Sequence, residues 1–173
     1  TLSKLDESAF ENDGATAINL YAVAQRVAGR LSSFADDQGV RVRVEGASAC
    51  IAGSETLAEE MLYNLIENGI RYNHEGGLVT MKVGSECVEG GLANAAYQTV
   101  VRVSDTGPGI PAELHDKVFE RFFRVDKSRS KETGGTGLGL AIVKHAVMYH
   151  GGVIEVESAE GQGTTFVLRF PSA

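Results

Sequence analysis

Cysteine is scarce in this chain. Cys50 and Cys87 are the only two in 173 residues, and no Cys-x-x-Cys spacing occurs. A disulfide framework is thereby excluded, and a reducing compartment is the default. Proline is equally sparse at three residues, which rules out a Pro/Gly low-complexity chain. No stretch approaches the roughly 18 apolar residues of a membrane helix. The first residues carry no basic and apolar leader, and a start at Thr1 reads as a segment of something longer. Positive charge is also short: 16 Lys+Arg against 23 Asp+Glu leave a net charge of −7. That balance argues against general nucleic-acid binding, which needs Lys and Arg to displace counterions. Glycine is the abundant residue, 21 in all, well above an average usage of about 7%. With 43% hydrophobic residues the chain can bury one core, so a single domain is expected.

Residues 1–17 are small and polar without a period and read as a linker or the end of an upstream element. From Leu20 the apolar residues Val23, Ala24, Val27, Ala28, Leu31 and Phe34 recur at helical steps. Asn19 is placed as N-cap and Gly39 as the C-terminal stop. Val40, Val42 and Val44 alternate with charged residues as a half-buried strand, and 49–52 can form a short second strand. Ser54 caps a second helix with Leu57, Met61, Leu62, Leu65, Ile66 and Ile70 on one stripe, ending near Tyr72-Asn73. Residues 78–84 and 96–104 form a hairpin around a glycine-containing loop at 85–95. The segment 105–139 breaks this texture, and a connection of that length is usually functional. A helix over 138–150 and strands at 153–158 and 164–170 complete the chain. Interleaved helices with hairpin pairing predict an α/β (α+β) two-layer sandwich with a mixed, mostly antiparallel sheet.

Four segments carry chemistry. Asp105-Thr106-Gly107-Pro108-Gly109-Ile110 closes a strand. Its glycines set a tight turn and admit a ligand to the backbone, and Asp105 can accept from an exocyclic amine. A plain capped turn accounts for the same residues. Gly134-Gly135-Thr136-Gly137-Leu138-Gly139-Leu140 runs into a helix, whose bared N–H groups and dipole favour an anion. It is no Walker A loop, since no Gly-Lys-Ser/Thr follows. The Rossmann spacing fails too, because Ala141 and Ile142 follow Gly139 and no strand precedes. A flexible hinge is the alternative. Asn64 and Asn68 stand four apart on one helical face, where two amide oxygens can hold a hard cation such as Mg²⁺. Arg71 and Tyr72 lie a turn further on. Two solvent-facing asparagines are the plainer reading of that pair. In Val118-Phe119-Glu120-Arg121-Phe122-Phe123-Arg124 the aromatics anchor a loop. Arg121, Arg124, Lys127, Arg129 and Lys131 then form either a solvated basic run or a lid facing phosphate.

The order Asn-Leu-x-x-Asn, Asp-x-Gly-x-Gly-Ile, Phe-x-x-Phe-x-Arg, Gly-x-Gly-Leu-Gly-Leu resembles the N, G1, F and G2 boxes of bacterial sensor histidine kinases. Residues 18–171 are similar to their catalytic ATP-binding domain, whose family includes type II topoisomerases, the Hsp90 chaperones and MutL. The resemblance implies a Bergerat fold: about five strands against three helices, a domain over 18–173, and a mobile ATP lid over about 106–137. It implies ATP and Mg²⁺ as cofactors. Asp105 would accept from the adenine amino group, with Gly107, Gly109 and Ile110 shaping the base pocket. Asn68 would ligate Mg²⁺ with Asn64 beside it, and Arg71 and Tyr72 would reach phosphate or ribose. Phe119, Phe122 and Phe123 would anchor the lid, and Arg124 would approach the phosphates. Gly135, Thr136, Gly137, Leu138, Gly139 and Leu140 would line the polyphosphate, and Thr164 would support Asp105 through water.

Two departures refine that expectation. Hydrolases of the superfamily place a Glu where Asn64 stands here, and a carboxamide cannot act as general base. Transfer to another acceptor fits better, with Asn64, Asn68 and Arg124 as the catalytic set. The phosphoacceptor His-Glu-Leu-x-Thr-Pro pattern is absent, since neither His74-Glu75 nor His115-Asp116 continues into it. The resemblance therefore implies an upstream dimerisation domain carrying that histidine, with residues 1–17 its end. It also implies a response regulator partner and no nucleic acid. The parent would be a homodimeric membrane sensor and this segment its cytoplasmic part, monomeric when alone. The alternatives are another ATPase or serine kinase of the superfamily, or a degenerate nucleotide-binding module used for protein contacts.

Overall fold

The computed structural model describes residues 16–87, 97–124 and 138–173. Chain order is β1 (Ala17–Asn19), α1 (Leu20–Arg30), α2 (Ser32–Gln38), β2 (Arg41–Gly46), β3 (Cys50–Ala52), α3 (Glu55–Arg71), β4 (Leu78–Cys87), β5 (Tyr97–Asp105), α4 (Gly139–Tyr149), β6 (Val153–Ser158) and β7 (Thr164–Pro171). Two short 3₁₀ turns, Ala112–Leu114 and Lys117–Phe119, lie between β5 and α4. Five strands form one sheet in the order β2-β4-β5-β7-β6. The β2–β4 pair is parallel, with α3 as its crossover, and the other pairs are antiparallel. The two-layer sandwich with a mixed, mostly antiparallel sheet is therefore present.

Strand alternation fixes which side chains face the helices. Opposed residues in register share a face, so Met81, Val103 and Phe166 form one row across β4, β5 and β7. Val83, Val101 and Leu168 form the next. All six are buried, and α3 covers them with Leu57, Met61, Leu62, Leu65, Ile66 and Ile70, each at most 1% exposed. Burying side chains of this size contributes about 1.5–3 kcal/mol each. Ser54 caps α3 by accepting from the Leu57 N–H. Asn19 caps α1 through the N–H groups of Tyr21 and Ala22.

The structure departs from the sequence expectation in four places. The first helix is two, broken at Leu31, so the described residues hold four α-helices where three were expected; Gly39, in the left-handed region at φ 69°, ends the second. Ala17 belongs to β1, which pairs with β3 in a separate two-stranded sheet, so the ordered domain starts before residue 18. Strand β4 runs to Cys87, beyond the expected end at 84; the rest of the expected hairpin loop lies outside the described residues. The segment after β5 is not structureless, because its second 3₁₀ turn buries Val118 in the core.

Candidate functional site

The alternation that buries Val101 and Val103 carries one step further to Asp105. It therefore faces the helices at the open end of the sheet, in a row with Val79, Thr164 and Ser158. Gly69 of α3 lies directly over this row: a methyl group there would stand 3.1 Å from Val79 and 3.6 Å from the Asp105 side chain. Asp105 accepts from the Gly107 N–H at 2.8 Å. Burial pushes its carboxyl above the ordinary carboxylate range, and hydrogen bonds from the Gly107 and Thr164 backbone N–H groups oppose that shift. The result is a desolvated carboxylate with a fixed direction, suited to accept a hydrogen bond from a ligand amine.

The turn after Asp105 is held from several sides. The Thr106 N–H donates to Leu78 O, its hydroxyl accepts from the Leu78 N–H at 2.9 Å, and it donates to Asn73 Oδ1 at 3.1 Å. A methyl on Gly107 would stand 3.0 Å from both Tyr72 O and Asp105 Oδ1, a tight fit. Gly109, at φ 79°, lies against the Ala159 carbonyl; Gly163, also at φ 79°, lies against the Asp105 carbonyl. Both need glycine for conformation and for space. Ser158 joins the parts: its hydroxyl receives the Ile110 N–H at 2.7 Å, donates to Gly163 O at 2.9 Å and meets Thr164 Oγ1 at 2.9 Å. Ile110 is buried beside it. The hydroxyl of Thr164 thus engages Ser158, while its backbone N–H is the group that supports Asp105.

Across the cleft, Asn64, Asn68 and Arg71 share the open face of α3. The Asn64 amide donates to Glu60 O at 2.7 Å. That fixes the other pole of the amide, Oδ1, toward α4, where a methyl on Gly139 would lie 3.2 Å from it. Asn68 is half-buried one turn later, and Tyr72 is exposed at the helix end. Arg71 pairs with Glu67 at 2.9 Å and its guanidinium lies over the Phe34 ring at 5.3 Å. Leu138 and Leu140 flank Gly139 at the start of α4, both half-buried. The amide oxygens of Asn64 and Asn68 fit a hard divalent cation, which takes oxygen ligands and keeps several waters. No group of three or more His, Cys, Asp or Glu capable of holding a metal occurs among the described residues.

The aromatic segment divides. Phe119 packs edge-on to Phe166 with centroids 6.1 Å apart, under Lys144, and Phe123 joins the core margin. Phe122 is 70% exposed with φ 65°, so it does not anchor the loop as the sequence suggested. Arg124 is half-buried. Gly135, Thr136 and Gly137, with the basic positions 127, 129 and 131, lie outside the described residues.

Residues 53–173 match the family model described as "Histidine kinase-, DNA gyrase B-, and HSP90-like ATPase". The chain belongs to this ATPase family. It is 37% identical over 158 residues to the sensor-like histidine kinase SenX3 of Mycobacterium tuberculosis, covering 91% of this chain and 36% of SenX3. It is 45% identical over 112 residues to the sensor histidine kinase WalK of Bacillus subtilis, covering 65% of this chain and 17% of WalK. The chain thus spans about a third or less of these relatives. Among solved structures, the mycobacterial sensor histidine kinase MprB superposes with a TM-score of 0.75 at 26% identity, covering 91% of this chain and 97% of that one. Full-length ShkA in complex with AMPPNP gives 0.75 at 26% identity, covering 99% of this chain and 34% of ShkA. The architecture is the Bergerat fold of this ATPase family.

Several residues that build the site carry no sequence signal of it. Ser158 is an ordinary strand-end serine until the sheet order places it beside Thr164. Glu67 reads as helix surface and Phe34 as part of the first helix's apolar stripe. Gly69 reads as a weak point in a helix, though its periodicity with Leu62, Leu65 and Ile66 marked a buried position where a helix and a sheet approach closely.

Proposed function

We propose that this chain is the ATP·Mg²⁺-binding catalytic domain of a sensor histidine kinase. In the whole protein it would donate the γ-phosphoryl group to a histidine on a dimerisation domain, for relay to a response regulator. The phosphorus–oxygen bond to ADP breaks as a phosphorus–nitrogen bond to the imidazole forms. The observation that carries the reading is the Asp105 row: a directed, desolvated carboxylate at the sheet end, followed by the Gly107–Ile110 turn and lying beneath Gly69 of α3.

The proposal gives each part a role. Asp105 accepts from the exocyclic amine of adenine, and the Gly107–Ile110 turn gives the base a backbone wall. Asn68, with Asn64 beside it, would hold Mg²⁺, which when bound neutralises phosphate charge. Arg71 and Arg124 supply cationic donors to the phosphates, and Tyr72 reaches ribose or phosphate. The start of α4, with Gly135, Thr136, Gly137, Leu138, Gly139 and Leu140, offers backbone N–H groups to the polyphosphate. Asn64 cannot take a proton from water, since a carboxamide is not basic enough to act as a general base. Positioning and charge neutralisation are therefore the domain's contribution, as phosphoryl transfer requires.

Calorimetry with ATP·Mg²⁺ tests this directly. Saturable binding is expected in the wild-type chain, with affinity lost about tenfold or more in Asp105→Asn, which loses a hydrogen bond to a charged acceptor. Absence of saturable binding, or equal affinity in the variant, would sink the reading.

A further inference from the structure

Arg71 is set by neighbours that are not themselves ligand-facing. Glu67 stands one turn earlier on α3 and holds the guanidinium Nη2 at 2.9 Å, with the two side chains only 28% and 21% exposed. Phe34, reaching over from α2, covers a guanidinium face at 5.3 Å. One turn before Glu67 the stacking is reversed, with the ring of Tyr63 on α3 and Arg30 of α1 over it at 5.2 Å. The order Glu then Arg at i, i+4 is the favourable one for a helix, and the pair is shielded enough to escape much of the screening that weakens exposed ion pairs.

We infer that Glu67 and Phe34 are positioning residues that pre-order Arg71 for the polyphosphate. An unrestrained arginine loses much rotamer freedom when it engages a phosphate. Here the carboxylate takes one edge of the fork and the ring takes one face, so that loss is met on folding and not on binding. A guanidinium has five N–H donors, more than one carboxylate can use. On the helical wheel Arg71 lies between Glu67 and the Asn64–Asn68 face, so the clamp and the proposed phosphate site approach it from opposite sides. The inference rests on the proposed phosphate role of Arg71.

The test compares affinities for ATP·Mg²⁺ and for adenosine, which lacks phosphates, by calorimetry on the full chain. Variants are Glu67→Ala, Glu67→Gln, Phe34→Leu, Arg71→Ala and the doubles with Arg71→Ala. Glu67→Ala and Phe34→Leu should each weaken ATP binding about three- to tenfold, a part of what ordering an arginine costs. Glu67→Gln, which keeps an acceptor oxygen, should recover part of the loss. Adenosine affinity should hold in all of them, which also reports that the variants fold. In the Arg71→Ala background neither change should matter further. Unaltered ATP affinity in Glu67→Ala and Phe34→Leu overturns the inference, as does an equal loss for adenosine or an undiminished loss on top of Arg71→Ala. If Arg71→Ala itself retains full ATP affinity, its phosphate role falls and the clamp falls with it. Adenine recognition by Asp105 is judged separately, by adenosine binding to the wild-type chain.

Discussion

At Asp105 the fold holds a carboxylate where burial disfavours its charge, and the Gly107 and Thr164 N–H groups only partly offset that cost. The sign follows: with its folded pKa raised, the protonated form is the better tolerated one, and ionisation as pH rises through that pKa costs stability. A ligand amine that donates to the ionised carboxylate reverses the preference. A carboxyl NMR titration of Asp105 should therefore show a midpoint above 3.8 in the free chain. Saturating nucleotide should move the midpoint down, because the ligand selects the ionised form. A midpoint unmoved by nucleotide would separate Asp105 from the base. The glycines around it yield a second residue-level test. Gly163→Ala puts a methyl against the Asp105 carbonyl at φ 79°. It should destabilise by more than about 1 kcal/mol, the cost of the left-handed region alone, while Gly161→Ala, at the same φ but in open space, should cost less by urea denaturation.

Between elements, His150 ties the end of α4 to the start of α3. Its Nε2 accepts from the Ser54 N–H at 3.1 Å and its Nδ1 faces Ala146 O at 2.7 Å, so the neutral ring with the proton on Nδ1 satisfies both. Burial holds its pKa below the ordinary 6.5. A depressed folded pKa means that the unfolded chain binds the proton more readily. The contribution of His150 is complete above about 6.5 and is lost as pH falls through the folded value. Urea midpoints should drop between pH 7.5 and 5.5 more steeply in the wild type than in His150→Gln; parallel curves would remove His150 as the cause. A lone histidine near a helix end has no sequence pattern that names its partner 96 positions away. Periodicity was informative wherever one face is buried over many residues, as in α3 with its stripe from Leu57 to Ile70. It was blind to the break at Leu31, because α1 and α2 present the same apolar spacing on both sides of it. It was equally blind to β1, three residues whose pairing with the short strand β3, expected at 49–52, is a long-range fact. The turn proposed to meet the base could be picked out as a unit because Asp105 and its glycines lie within five consecutive residues. Ser158, Glu67 and Phe34 were not, because each acts only through a neighbour brought by the fold.

For the whole molecule, a net charge of −7 is compatible with a polyphosphate ligand because the site draws on backbone N–H groups, amide oxygens and a few local cations. Among the described residues no helix is long and apolar enough to cross a membrane. The chain matches only 36% of SenX3, and the proposed function has a sharp consequence: nucleotide binding would reside in this chain, with the phosphoacceptor supplied by another domain. Incubated with ATP·Mg²⁺, the chain should bind nucleotide yet release ADP slowly. Without a general base at Asn64 it forgoes about a hundredfold or more in rate. Addition of a separately prepared dimerisation domain bearing the phosphoacceptor histidine should produce an acid-labile, alkali-stable phosphoryl group on that domain, the signature of a phosphorus–nitrogen bond. Replacing Asn68 by Ala should abolish the transfer along with Mg²⁺ dependence. Brisk ADP release by the chain alone would instead move it toward the hydrolytic branch of its family, with a base that the positions of Asn64 and Asn68 do not provide.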